Sequence, residues 1–296
     1  MTAPLVSILT PSFNQARWLR DNLRSVQAQT YPNVQHLVMD GGSTDGSVEI
    51  LQGWDGSAMK WRSEPDGGQS DALKKALSWS NGEIVGWLNS DDTLADCRTI
   101  EWIVATFERY GDVDVVYGHV LDTDEDGRAV RLTWSPPPWA ARLDRDLNPA
   151  TQPGAFFRRR AIADEFVRSD LHFAMDHELF IRLIRSGHRF RRLRRVLATN
   201  RHQLQRKSLV RPQRYVEEYA ALQGPETPLR NLRRRIASRL VSTSCRLIGV
   251  YPFLALGRSL APASLITLPP PLTRLRLQVM TRTEAFIVAQ GRQRRC

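Results

Sequence analysis

The chain is predicted to fold as an α/β protein around a mostly parallel sheet flanked by helices, and two features of its first half carry that expectation. Short apolar runs alternate with segments of helical spacing, and each apolar run stops at a polar or glycine-rich turn. Such alternation is what parallel strands joined by crossover helices produce. Val6 to Thr10, His36 to Met39, Met59 to Trp61 and Ile84 to Leu88 read as the strands. Between them Leu19, Leu23 and Val26 fall on one helical face, as do Ala72, Leu73, Ala76 and Leu77. This makes the first half Rossmann-like.

The four turns are Pro11-Ser12-Phe13-Asn14, Asp40-Gly41-Gly42-Ser43-Thr44-Asp45-Gly46, Glu64-Pro65-Asp66-Gly67-Gly68 and Asn89-Ser90-Asp91-Asp92. Loops at the carboxyl ends of parallel strands line the ligand crevice of an open sheet. All four are therefore expected to meet at one site.

Further along, Asp114 to Gly118 reads as a strand, and Asp122 to Trp134 as a hairpin with an acidic turn. Ser135-Pro136-Pro137-Pro138-Trp139 breaks regular structure and predicts a long, mobile loop. A helix is expected from about Met175 to Ser186, with Gly187 as its stop.

The net charge of +11 would suggest nucleic acid if it were spread evenly, but it is not. From Arg230 onward there are thirteen arginines against the single acid Glu284, so residues 1–229 are close to neutral. The chain thus divides into a catalytic domain, 1–229, and a basic amphipathic helical extension, 230–296. The extension is expected to seek an anionic membrane surface or to pack on the core as a helical cap. Cys97, Cys245 and Cys296 are too scattered for a disulfide framework and fit a reducing cytosol. The N-terminus lacks the basic and apolar regions of a secretory signal. Neither Leu247–Gly257 nor the proline-containing Ser259–Thr273 reads as a membrane span. A cytoplasmic protein, peripheral at the inner face of the cell membrane, is the expectation.

The chemistry begins at Trp87-Leu88-Asn89-Ser90-Asp91-Asp92, where an apolar strand runs into adjacent carboxylates. Neighbouring acids repel unless a cation or buried donors compensate, and hard divalent ions favour oxygen ligands. Mg²⁺ or Mn²⁺ is the expected occupant. A bare Asp-Asp pair is otherwise read as a cap and a solvated neighbour. The loop at 40–46 offers Ser, Thr and Asp groups to a base or ribose, or else is a tight strand-to-helix turn capped by Ser43 or Asp45. The loop at 64–68 opens a helix whose free N–H groups favour anions.

In order and spacing, Ser7 to Asn14, Asp40 to Gly46, Ser63 to Gly68 and Asn89 to Asp92 resemble glycosyltransferase family two, the inverting enzymes of GT-A fold. The resemblance runs over roughly residues 4 to 210. It implies that Pro11, Ser12, Asn14, Asp40 and Asp66, with Gly67 completing the turn, border the nucleotide. It further implies that Asn89 and Asp91 lie near the ribose and that Asp92 binds the metal. Gly41 stands where the family often has a second acid, and Asn89 where many members have Asp. Phe173 to Leu179 resembles the segment that supplies the catalytic base, and Asp176 aligns with that base. Arg201-His202-Gln203 and Ser208 resemble the late loop over the donor diphosphate, which makes His202 an additional candidate metal ligand.

The function implied is inverting transfer of a sugar from a UDP- or other nucleotide-diphosphate donor to a saccharide or lipid-linked hydroxyl acceptor, in bacterial polysaccharide or glycolipid biosynthesis. A sugar-phosphate nucleotidyltransferase would show a basic, Gly-rich signature at the first strand, and Thr10 to Asn14 holds no Lys or Arg. A nucleic-acid-binding protein is suggested by Arg233-Arg234-Arg235 alone, without a reading motif, so nucleic acid is not an expected partner.

Overall fold

The computed structural model describes residues 3–56, 58–139, 149–163, 165–203 and 212–223, with helical Leu232 and Ile236 beyond them. The expectations for the rest of the extension from 230, and for Ser208, lie outside the described residues.

The first half follows the predicted alternation: β1 (Val6–Ser12), α1 (Ala16–Gln27), β2 (Val34–Asp40), α2 (Ser47–Gln52), β3 (Met59–Ser63), α3 (Gln69–Trp79) and β4 (Ile84–Trp87). The second half adds β5 (Thr93–Leu94), α4 (Thr99–Arg109), β6 (Val115–Thr123), β7 (Ala129–Thr133), β8 (Ala155–Arg158), α5 (Met175–Arg185), β9 (Phe190–Arg201) and α6 (Pro212–Gln223). The strands form one sheet in the order β3-β2-β1-β4-β8-β6-β9-β5, with β7 paired to β6. β3, β2, β1 and β4 are parallel. β8 runs antiparallel between β4 and β6, and β9 is parallel to β6.

Both faces of this sheet are covered. Every residue of β1 is buried, as expected where helices pack on either side. Successive residues serve opposite layers: Leu9 and Phe157 join the cluster with Leu73 and Phe180 of α3 and α5, while Ile8 and Phe156 join Ile103 and Phe107 of α4. At the edge, β3 alternates half-buried and exposed positions. Gly187 ends α5 at φ +83°, with its N–H on the Ile184 carbonyl, as its sequence position suggested.

Two elements carry information the sequence reading missed. Ile100, Ile103, Val104 and Phe107 give α4 an apolar face at helical spacing. β9 begins as an arginine-rich, partly exposed strand and becomes fully buried only from Val196 to Thr199, so its pattern is not that of a core strand. Cys97, in the turn before α4, is disulfide-bonded, a pairing that the scatter of three cysteines does not announce.

The prolyl segment corrects an expectation. Ser135 and Pro136 are buried. The Ser135 hydroxyl donates to the Gly118 carbonyl at 2.6 Å, its N–H to Nδ1 of His119 at 3.1 Å, and the Tyr117 hydroxyl donates to the Pro136 carbonyl at 2.7 Å. The start of the expected loop is thus anchored to β6 through side chains, while its continuation at 140–148 lies outside the described residues. Burial, then the charges of Arg192 and Arg194, pushes His119 down to about 3, which keeps its ring neutral and able to accept that N–H.

At Gly86, in β4, a Cβ would meet Phe156 Cε1 at 2.7 Å and Ile8 Cδ1 at 3.0 Å. Gly86→Ala is therefore expected to lower stability by about 1–3 kcal/mol through overpacking. Chemical denaturation checks this: an unchanged midpoint would mean that the sheet and Phe156 shift freely.

Candidate active site

The loops after β1 and β2 are stitched into one surface. Asn14, at φ 51°, donates its N–H to the Ser43 hydroxyl at 2.8 Å and accepts the Thr44 N–H on Oδ1 at 2.9 Å. The Gln15 N–H reaches the Ser47 hydroxyl at 3.2 Å, and the Ala16 N–H reaches Asp45 Oδ2 at 2.8 Å. The N-terminus of α1 is thus capped from the neighbouring loop, which satisfies donors that a helix start leaves orphaned. Burial pushes Asp45 up, and bonds from Ser47 and Ala16 more than reverse it, holding the carboxyl below its ordinary value.

Asp40 is buried and its carboxylate is saturated. It accepts from the Gly42 N–H at 3.1 Å, the Ser43 N–H at 2.8 Å, the Ser43 hydroxyl at 2.5 Å and the Ser63 hydroxyl at 2.7 Å. Gly42 sits at φ +82°, a conformation that closes this turn and suits glycine. Asp66 lies across the Gly41 backbone, 3.1 Å from where a Cβ would stand, and accepts the Gly68 N–H at 2.8 Å. A side chain at 41 would press on Asp66, which accounts for glycine beside Asp40. The Asp71 carboxylate accepts the Gly67 N–H at 3.0 Å and fixes the turn. Ser12 pairs in register with Asp40, and its buried hydroxyl has no hydrogen-bond partner among the described residues. Pro11 precedes it in β1, opposite Met39.

The four residues after β4 divide their roles. Asn89 accepts from Gln69 at 2.7 Å and from the Trp87 indole at 2.8 Å. Its own amide donates to Gln152 at 3.0 Å and to Asp92 at 3.2 Å. Asp92 is 2% exposed, and its Oδ1 accepts the Arg201 N–H at 3.0 Å. Asp91 is half-buried: Oδ2 accepts the Gln203 amide at 2.7 Å, and Oδ1 takes no hydrogen bond from a described residue. The acid expected to hold the cation is thus the inner one, and the acid expected at the ribose is the outer one.

Arg201 ties the late segment to this loop. Its buried guanidinium donates to the Asp91 carbonyl at 3.1 Å, the Glu125 carbonyl at 2.7 Å and Asp21 at 3.1 Å. Gln203 also contacts Gln15 at 3.3 Å, so the late segment reaches both the β1 and β4 loops. His202, expected as a second metal ligand, lies with Nε2 3.0 Å from Asp122 rather than against Asp91 or Asp92. Among the described residues no group of three or more His, Cys, Asp or Glu side chains converges as a metal cage.

Asp176 lies in the first turn of α5, with Oδ1 accepting the His177 N–H at 2.8 Å. The start of α5 is docked on α3: the Ser70 hydroxyl donates to the Leu171 carbonyl at 2.9 Å and lies 3.5 Å from Met175 Sδ. Gln69, one residue earlier, is the residue that holds Asn89. Glu218 of α6 accepts the N–H groups of Phe173 at 2.8 Å and Ala174 at 3.1 Å, capping α5 from a separate helix. The start of α5 is therefore held beside the start of α3, whose first residue contacts the loop after β4.

A family model described as "Glycosyl transferase family 2" matches residues 7–166, more than half of the chain. The chain belongs to glycosyltransferase family 2. It is similar to an uncharacterized glycosyltransferase of Mycobacterium tuberculosis, 34% identical over 122 residues, 41% of this chain and 47% of that one. It also resembles the putative teichuronic acid biosynthesis glycosyltransferase TuaG of Bacillus subtilis, 36% identical over 30% of this chain and 36% of that one. The chain thus spans half or less of the length of these relatives. Among solved structures it resembles the mannosyltransferase PcManGT from Pyrobaculum calidifontis in complex with GDP-Man and Mn²⁺, with TM-score 0.60, 17% identity and coverage of 99% and 89%. S. aureus TarS with UDP-GlcNAc gives TM-score 0.58, 16% identity and coverage of 96% and 83%. At such identities the likeness shows the fold, which is the GT-A fold.

For a family 2 member, the residues that sequence reasoning missed are the supporting ones. Asp21, Gln69, Gln152 and Glu218 each act on a residue twenty or more positions away in the chain, so no local pattern marks them.

Burial pushes Asp122 up, but hydrogen bonds from His202 and Thr133 and the charge of Arg131 bring it down to about 2. A depressed folded value stabilises the protein above the ordinary carboxyl range, and this contribution is lost as pH falls toward 2. The shift corresponds to about 2 kcal/mol. The stability gap between wild type and Asp122→Asn should therefore shrink as pH is lowered from 5 to 2. A constant gap in urea melts across that range would remove Asp122 from this role.

Proposed function

We propose that this protein transfers a sugar, with inversion, from a nucleotide-diphosphate donor to a hydroxyl acceptor in polysaccharide or glycolipid synthesis. The observation that carries the proposal is Asp91, half-buried at the end of β4, with one carboxylate oxygen held by Gln203 and the other accepting no hydrogen bond from a described residue. The solved relatives of the same fold that hold GDP-Man or UDP-GlcNAc support a nucleotide-sugar donor. The teichuronic acid relative supports a surface polysaccharide as the acceptor class.

Ser12, Asn14, Asp40, Asp66 and Gly67 would border the nucleotide. Asp40 spends its carboxylate on its own loop and on Ser63 of β3, which leaves the Ser12 hydroxyl and Asp66 as the better placed polar groups for the base. Asp91, rather than Asp92, would present oxygen to a divalent cation. Mg²⁺ and Mn²⁺ suit one or two carboxylates completed by substrate phosphates, so a single outward acid fits without a protein cage. When bound, such an ion supplies charge neutralisation at the departing diphosphate. Asp92 would hold the loop through Arg201 and Asn89. His202 would act through Asp122 at the rim.

In a single displacement the acceptor oxygen, anomeric carbon and leaving oxygen are held nearly in line. Asp176 would take the acceptor proton as that bond forms. One base suffices, unlike the carboxylate pair of a glycosidase.

Asp91→Ala is expected to abolish Mn²⁺-dependent binding of nucleoside diphosphates, read by calorimetry, with little change in folding. Asp92→Asn should instead lower the thermal midpoint. The reverse pattern would return the metal to Asp92. Asp176→Asn is expected to lower turnover by at least about 100-fold while nucleotide affinity stays within a few fold; equal loss of both would exclude it as the base.

A further inference from the structure

The amino-terminal half of β9, away from the cleft, forms a basic surface with α4. On α4 the residues Arg98, Trp102, Ala105 and Arg109 recur on one helical face, and on β9 the alternate residues Arg191, Leu193 and Arg195 lie beside them. Arg98 and Arg195 stand over the Trp102 ring, 5.3 and 4.1 Å from its centroid. Arg109 and Arg191 stand over Tyr110 at 5.5 and 3.9 Å, and Arg191 donates to the Tyr110 hydroxyl at 2.7 Å. Trp102, Tyr110 and Leu193 are half-buried on the same core cluster, which fixes the arrangement from below.

Elsewhere on the surface, arginines are matched to acids, as in Arg17 with Glu125, Arg128 with Asp126 and Arg160 with Asp114. Arg98 reaches Asp96 at 3.7 Å. Arg109, Arg191 and Arg195 form no ion pair with a described carboxylate; their ordering contacts are with aromatic rings. A ring contact occupies the guanidinium face and leaves the N–H donors at its edge for other acceptors.

We propose that this α4–β9 face docks on an anionic, phosphate-bearing lipid surface through Arg109, Arg191 and Arg195. The cations are spread rather than convergent: Arg98 and Arg109 lie about 16 Å apart along the helix, and Arg191 and Arg195 about 13 Å apart along the strand. That spacing matches a plane of phosphates better than one phosphate group. Half-buried Trp and Tyr suit the boundary between headgroups and acyl chains. Single-stranded nucleic acid needs open ring faces for base stacking, and here guanidinium groups already lie over both rings. Because residues 1–229 are nearly neutral overall, any attraction exerted by that part of the chain itself must come from a local patch such as this one. Glu101 and Glu108 flank the stripe and temper its field. The face is built from residues that precede the basic extension in the chain, and the inference is independent of donor and acceptor.

The test is sedimentation of the full chain with vesicles of equal phosphatidylcholine and phosphatidylglycerol, and with neutral vesicles. At about fivefold per arginine, the triple variant Arg109→Gln, Arg191→Gln, Arg195→Gln should bind the anionic vesicles about 100-fold more weakly. The corresponding triple Lys variant should stay within a few fold of wild type. Binding within twofold of wild type for the Gln variant, equal loss in the Lys variant, or equal wild-type binding to neutral vesicles overturns the proposal. Should the Gln variant misfold, amide exchange on the wild type decides. Slowed exchange at 98–110 and 190–196 on adding anionic vesicles supports the lipid face. Unchanged exchange there, or slowing by a single-stranded oligonucleotide and not by vesicles, overturns it.

Discussion

The site depends on the buried junction between Asp92 and the end of β9. Two adjacent acids at the end of β4 would repel each other if both were left with only solvent for company. The fold resolves this by taking one inward, where the Arg201 N–H and the Asn89 amide meet its carboxylate. The Arg201 side chain then holds the Asp91 carbonyl and reaches Asp21 on α1 and the acidic turn at Glu125. A buried arginine is costly unless its donors are used, and these contacts engage all three of its nitrogens. With the inner acid taken up by these donors, the outer one is held in place by Gln203 on one oxygen, and its other oxygen accepts from no described residue.

The same division runs through the other loops. Asp40, Asp45 and Asp71 each spend their oxygens on N–H or hydroxyl groups of the turns they belong to or cap. A loop lacking regular structure must find such partners for its backbone or leave them to water. Acid-rich loops are therefore partly scaffolding: their carboxylates replace the hydrogen bonds that a helix or strand would supply. An acid in such a motif is a stronger binding candidate when its own loop does not exhaust it. By that criterion Asp91 stands out, with Asp66 behind it, whose Oδ1 accepts the Gly68 N–H of its own loop.

Much of this was legible in the sequence. The four parallel strands and their loops stand out because apolar runs ending in Gly, Asp and Ser are local patterns, and so does α5 with its Gly187 stop. That Asp92 turns inward and Asp91 outward was not legible, since Asp92 is met by Arg201, more than a hundred residues away. The prolyl segment looked mobile because its anchors, Tyr117 and His119, lie on another element. β9 escaped notice because four of its first six residues are arginine and its buried apolar run comes only at Val196 to Ala198.

That uneven composition of β9 has a structural logic. The strand lies beside β6 and runs from the surface of α4 to the cleft, so its two halves meet different surroundings. The buried half, Val196 to Thr199, carries the strand through the core and delivers Arg201 to the acids. The leading half has aromatic residues of α4 and its end beneath it, and arginine can lie over those rings while keeping its charge toward water. Lysine, a compact and strongly hydrated point charge, would gain less from the same rings. One strand thus places positive charge at an outer face and a buried guanidinium at the candidate site, about 20 Å apart at 3.3 Å per residue from Arg195 to Arg201. Because a rigid strand joins the two, docking at the outer face would hold the cleft at a set height above that surface.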